Sequence, residues 1–157
     1  YGLLTRWNPL NLRAPYPKPP TGKRVLVAGT GPAGFTLAHF LMNDGHTVVG
    51  IDGLKIEPLA PEISGVGPHG ERVPFRPIRD VNELYEPLDQ RVMAGFGGVA
   101  EYGITVRWDK NFLKLIRLLL ERRARFALFG GVRFGGTLDT DDAFGLGFDH
   151  VALAAGA

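Results

Sequence analysis

Cysteine is absent from the 157 residues. That excludes disulfides, thiolate zinc sites, cysteine-ligated iron–sulfur clusters and cysteine nucleophiles from this chain. A cysteine-free chain is redox-silent anywhere, so the absence says little about compartment. Serine is almost absent too, and Ser64 stands alone. Glu62 occupies the first glycine position of a G-x-S-x-G pattern around it, which excludes a serine hydrolase elbow. No apolar run approaches the roughly 18 residues of a membrane span, and no leader pattern is visible. The expectation is therefore no membrane span and a cytoplasmic location. The formal net charge of +2 is too small to argue for nucleic acid. His39, His46, His69 and His150 form no i, i+4 pair, so no histidine metal motif is present.

What is present is the material of one folded domain. Hydrophobic residues make up 45% and charged residues 22% of the chain. A chain of this length buries roughly 70% of its unfolded surface in a single core. The 22 glycines and 12 prolines stop just short of low complexity, so they are expected to act locally. The chain opens on Tyr1 rather than methionine, and a processed, cut or incomplete chain is expected.

Residues 1–22 read as a proline-rich arm or linker, broken by Pro9, Pro15, Pro17, Pro19 and Pro20, with Trp7, Leu10 and Leu12 as anchors. A linker is preferred to a ligand for a proline-recognising module. The domain proper is expected over 23–157. Val25-Leu26-Val27-Ala28 is a continuous apolar run, as in a strand buried on both faces. Helical spacing follows from Phe35 to Asp44, with Gly45 as its stop. Thr47 to Ile51 reads as a second strand, completing a βαβ unit. Residues 53–96 read as an irregular insertion with a short helix near Val81–Met93. Asp109 is the expected N-cap of a helix over 110–125, with Gly130 and Gly131 ending that segment. Phe112, Leu115, Ile116, Leu119 and Leu120 give it one apolar face, and Lys110, Lys114, Arg117, Glu121 and Arg125 a second, solvated one. A partner-binding role for that basic face is the alternative. Val132–Phe134 reads as a short strand, Thr140 to Asp142 as a helix start, and Phe148–Ala154 as a last strand. The alternation predicts an α/β fold, a Rossmann-like open parallel β-sheet in three layers.

The sharpest motif is Gly29-Thr30-Gly31-Pro32-Ala33-Gly34, a G-x-G-x-x-G between a strand and a helix. Asp52 closes the next strand, 18 positions after Gly34, near the spacing of about 20 seen in dinucleotide fingerprints. Gly29 permits the turn, Gly31 lets backbone approach a pyrophosphate, and Gly34 lets helix pack on strand. The helix N-terminus then faces the phosphates. Asp52 accepts from an adenosine ribose, and its carboxylate disfavours a 2′-phosphate. A phosphate-binding P-loop is excluded, because Phe35 stands where lysine is required. These residues leave FAD and NAD both open.

Three segments carry a family resemblance. "VAGTGPAGFTLAHFLMNDGHTVVGID", "GGVAEYGITVRWDK" (97–110) and "FDHVALAAGA" (148–157) occur in one order along the chain. Together they resemble the FAD-binding domain of glutamate synthase small-chain-like oxidoreductases, within the pyridine-nucleotide flavin reductase class. The resemblance implies FAD at Gly29, Gly31, Pro32, Ala33 and Gly34, with its ribose on Asp52. It implies flavin-side contacts from Gly98, Tyr102, Gly103 and Ile104, with Arg107 and Lys110 nearby. It implies backbone at Leu138 near the adenine, and closure by Ala155 and Gly156. No residue of this chain is implied to be a catalytic acid or base.

Some positions depart from the family pattern. Thr105 replaces a usual proline, Ala155 a usual threonine, and residues 53–96 run longer than in the small-chain relatives. The resemblance further implies NAD(P)H as donor through a nicotinamide-binding domain that this chain lacks, and an iron–sulfur domain or subunit as partner. The chain is then a flavin-domain piece of a longer enzyme. Two rivals remain: an NAD-binding Rossmann domain of a dehydrogenase, and a non-catalytic interaction module. Tyr102 also admits a plain reading, as a ring capping the core with its hydroxyl in water.

Overall fold

The computed structural model describes residue 10, residues 17–102 and residues 110–156. Its elements run β1 (Arg24–Ala28), α1 (Pro32–Asn43), β2 (Thr47–Asp52), α2 (Pro61–Ser64), a 3-10 turn (Val81–Leu84), α3 (Val99–Tyr102), α4 (Phe112–Glu121), β3 (Phe126–Gly130), α5 (Thr140–Gly145) and β4 (His150–Leu153). The strands form one sheet in the order β3-β2-β1-β4, and every pairing is parallel. This is a Rossmann-like α/β domain. Among the described residues, no helix is long and apolar enough to cross a membrane.

The apolar run of β1 explains the layering. Successive strand side chains point to opposite faces. Val25 and Val27 join one core cluster with Ala38 and Met42 of α1 and Leu113 and Leu120 of α4. Leu26 and Ala28 join another with Ala143 of α5 and Phe148. The sheet is thus covered on both sides, and its central strand is apolar at every inward position.

A third cluster packs Ile78, Val81 and Leu84 against Leu115 and Leu118 of α4, with Leu10, Leu59, Ile63 and Tyr85 at its margin. So α4 is apolar on two sides, and the 53–96 insertion lies along it. This corrects the expectation of a solvated basic face. Arg117 is only 4% exposed. It donates to the Glu57 carbonyl at 2.6 Å and pairs with Glu121 at 3.2 Å. Lys114 donates to the Leu84 carbonyl at 3.2 Å and pairs with Glu86. Arg122 donates to the Ile63 carbonyl at 2.8 Å, and Arg125 to that of Gly45 at 2.8 Å. An irregular segment has carbonyls without ladder partners, and buried ones require donors. The cations of α4 and the turn after it supply them.

Several boundaries also differ. α1 begins at Pro32, whose fixed φ and missing N–H suit a first helical turn. The Val81–Met93 helix reduces to the 3-10 turn at Val81–Leu84, where Asp80 caps the Asn82 N–H. Asp109 lies outside the described residues, and Asn111 occupies the N-cap of α4. The helix stops at Glu121, so Phe126–Gly130 is a strand paired with β2. Val132–Phe134 forms no strand, only a single bridge from Phe134 to Leu138. The aromatic residues of β3 pair well at a sheet edge, which overrode the helical continuity read from the leucines before them.

Asp149 ties β4 to β1. Its carboxylate accepts the Arg24 N–H at 2.8 Å and pairs with Lys23 at 3.2 Å. The Arg24 N–H and the Lys23 ammonium hold its pKa below the ordinary carboxylate value. A depressed folded-state pKa gives stability present above the unfolded value of about 4 and lost as pH falls through the folded one. We expect Asp149→Asn to flatten the acid limb of the stability–pH curve below about pH 4. Chemical unfolding of both proteins at stepped pH measures this, and parallel curves would remove Asp149 from the acid transition.

Candidate functional site

The carboxyl ends of the strands open onto a cleft of about 1120 Å³. It lies where the strand order reverses between β1 and β4, the usual ligand position in open α/β sheets. Its floor is the turn from β1 into α1.

That turn is set by backbone crowding. Gly29 has φ +105°, and a Cβ there would strike the Ala154 carbonyl at the end of β4. A Cβ on Gly34 would strike the Gly29 carbonyl oxygen. Gly34 therefore lies beneath the turn, where it brings α1 onto β1, and not on the cleft wall. Gly31 is the N-cap of α1 and makes no side-chain cap hydrogen bond. No acidic residue occupies the first turn. The amides of Ala33 and Gly34 and the partial positive charge of the helix end therefore remain available to an anion.

Asp52, at the end of β2, is engaged within the protein. One carboxylate oxygen accepts the Thr30 N–H at 2.9 Å and the Thr30 hydroxyl at 2.8 Å. The other accepts the Leu54 N–H at 3.0 Å. Thr30 in turn accepts the Gly97 N–H through its carbonyl at 3.1 Å. Thr30 is buried, and it joins the glycine turn, β2 and the opposite cleft wall. A carboxylate offers about four acceptor sites, so room remains on Asp52 for a ligand hydroxyl. Asp52 thus has an internal role that its spacing from Gly34 did not reveal.

The opposite wall is Gly97 to Tyr102. Gly98 has φ +53°, and a Cβ on it would come within 2.9 Å of the Gly31 Cα. Glycine at both positions lets the wall touch the glycine turn. Glu101 fixes α3 from behind. It is fully buried and meets Arg91 in a two-pronged pair at 2.5 and 2.8 Å. Tyr102 projects to the cleft. Burial, then the negative charges of Glu101 and Asp52, raise its phenol pKa above the ordinary value, so it is a protonated donor at neutral pH.

Gly29, Gly31, Pro32, Ala33, Asp52, Gly98, Tyr102, Ala155 and Gly156 all reach this one cleft. Gly103, Ile104 and Arg107 lie outside the described residues. Lys110 sits behind α3 and donates to the Glu101 carbonyl at 2.7 Å. Leu138 is off the wall as well. Its N–H and carbonyl bond to Arg133 and Gly135, and its side chain packs with Phe134 under the sheet. Arg133 and Phe134 line the cleft instead. They sit just beyond β3, and recognising Phe126–Gly130 as a strand would have put them at a strand's carboxyl end. Gly53 and Leu54 complete that end.

No family model matches the chain. It is similar to "Uncharacterized protein RP006" of Rickettsia prowazekii (strain Madrid E), with 49% identity over all 157 residues. The chain spans 21% of that relative's length. Among solved structures, histamine dehydrogenase from Rhizobium sp. 4-9 matches 90% of this chain with 15% of its own. The TM-score is 0.47 and the identity 20%, a likeness too slight to carry a functional argument.

The Thr30 hydroxyl is the removable part of the junction. A hydrogen bond to a charged group contributes about 1.5–3 kcal/mol. Thr30→Val keeps the β-branched shape and the backbone donor but loses that bond. We expect a stability loss of that order in urea unfolding, and an unchanged midpoint would show that the hydroxyl holds nothing.

Proposed function

We propose that this chain is the FAD-binding portion of an NAD(P)H-linked oxidoreductase of the glutamate synthase small-chain-like kind. The observation that carries the reading is the lining of the cleft. Asp52 and Arg133 beyond β2 and β3, and Gly98 and Tyr102 on the facing wall, surround an uncapped helix N-terminus. A dinucleotide suits such a lining, with two apolar-faced ends joined by a pyrophosphate. The lining fits it chemically, with close backbone at Gly31 and Gly98, one acidic ribose acceptor and one phenolic donor. The order of the three sequence segments favours FAD over NAD.

FAD, when bound, exchanges a hydride equivalent for single electrons. The chain's own residues do the holding. The Ala33 and Gly34 amides receive the pyrophosphate, and the residual acceptor capacity of Asp52 receives a ribose hydroxyl. Tyr102 would present a proton donor from the facing wall, and the Arg91–Glu101 pair keeps that wall in place. No side chain has to give or take a proton from a substrate. NAD(P)H reaches the site through a nicotinamide domain outside this chain. An iron–sulfur acceptor must likewise sit on another domain or subunit, because this chain has no cysteine. A cytoplasmic setting belongs to the same reading.

Purified chain should show a flavin absorption spectrum, natively or after reconstitution, and release FAD on denaturation. Gly31→Val gives the matched control. Gly31 has φ −76° and an extended ψ that valine tolerates. A Cβ there lies 3.6 Å from the Gly98 Cα, so the branches would fill the phosphate approach. We expect a folded, colourless variant. A chain that binds NAD and cannot be loaded with FAD would replace this reading with the dehydrogenase one, and retention of cofactor by Gly31→Val would move the pocket elsewhere.

A further inference from the structure

Arg133 has no assigned role, yet its setting is unusual. It is the one cationic side chain on the cleft wall among the described residues. Its guanidinium pairs with no carboxylate among them, whereas most of the arginines of α4 and its flanks are tied to carbonyls or acids. Among the described residues only its main chain is engaged, its N–H bonding the Thr137 hydroxyl at 3.2 Å and its carbonyl closing the turn at 136–138. The stem rests between two residues without side chains. A Cβ at Gly53 would lie 3.7 Å from the Arg133 Cβ and Cγ, and one at Gly136 would lie 3.6 Å from its Cδ. The charge is therefore held by its stem at the cleft, beyond the ends of β2 and β3, and left unneutralised.

We propose that Arg133 is the base clamp of the cleft, laying its guanidinium on the face of a purine held beyond Asp52. The inference rests on the dinucleotide reading and adds to it the residue that recognises the base end. Two ligand chemistries suit a free guanidinium, a phosphate and an aromatic plane. The neighbouring Asp52 carboxylate disfavours a phosphate there. A purine carries no charge for that carboxylate to repel, and the planar guanidinium stacks on aromatic faces. Leu54 and Phe134, which line the same cleft, offer apolar surface to the rest of the ring. Stacking tolerates any base, so Arg133 contributes affinity for an aromatic end and not hydrogen-bond selection of adenine.

The test is calorimetric binding of ADP to the full 157-residue chain, wild type, Arg133→Ala and Arg133→Lys. Arg133 is exposed, so both variants should keep the wild-type circular dichroism and melting profile. A stacked cation contributes roughly a twofold to thirtyfold gain in affinity, and Arg133→Ala should lose that factor. Arg133→Lys keeps the charge without the plane and should recover only part of it. Unchanged ADP affinity in Arg133→Ala overturns the proposal, and so does full recovery in Arg133→Lys. A larger loss for adenosine 2′,5′-bisphosphate than for ADP would also overturn it, because it marks a phosphate contact. Wild-type chain that binds ADP but never FAD refutes the flavin reading while still deciding the role of Arg133. Wild-type chain that binds no ADP refutes both.

Discussion

Four stretches of backbone converge on Gly29, and the cleft exists because they come that close. The end of β1, the start of α1, the end of β2 and the end of β4 all meet there, with the Gly29 N–H bonded to Ile51 at 2.8 Å. Side chains at 29 or 34 would collide with main-chain carbonyls, not with movable side chains. Packed interiors cannot absorb such volume without backbone shifts. The glycines thus do two things at once. They seat α1 on the sheet, and they leave its N-terminus exposed at the strand ends.

Around that convergence the charges are arranged with little redundancy. Asp52 neutralises part of the local donor surplus by taking three hydrogen bonds from Thr30 and Leu54. The Thr30 carbonyl passes the connection to Gly97, so the two walls of the cleft are linked through one buried residue. Behind the wall, Arg91 and Glu101 form an ion pair almost fully removed from water. Truncating one member of such a pair leaves a buried charge without its partner. The wall is therefore rigid at its base, while its lip at Tyr102 is exposed to the cleft.

The first βαβ unit was legible because each of its signals has a local cause. The apolar run of β1, the glycine spacing and the acid closing β2 all act within about thirty residues. Gly98, Tyr102, Ala155 and Gly156 line one cleft with the glycine turn, and no local rule announces that meeting of distant segments. What escaped was set by distant contacts. Phe126–Gly130 directly follows a leucine-rich helix and becomes a strand only through its pairing with Val48–Asp52. Arg117 and Glu121 have the spacing of a solvated face, and no local pattern announces that the 53–96 insertion covers them. Asp52 has the spacing of a ribose acceptor, while its bonds to Thr30 depend on two turns meeting in space. The resemblance implies Lys110 and Leu138 near the cofactor, while Lys110 donates to the Glu101 carbonyl and the Leu138 main chain bonds to Arg133 and Gly135.

The carbonyl-seeking cations on and around α4 carry a consequence for solution behaviour. Surface ion pairs weaken as salt screens them, because both partners are charged. Arg117, Arg122 and Arg125 instead grip neutral main-chain oxygens at Glu57, Ile63 and Gly45. Their contacts are short-range and partly withdrawn from water, so screening ions have little leverage on them. Arg117 and Arg122 thereby fasten the insertion through neutral oxygens, beside the Lys114–Glu86 and Arg91–Glu101 ion pairs. The share of its attachment that those two arginines carry should respond little to ionic strength, while the half-exposed Lys114–Glu86 pair is the part that salt reaches.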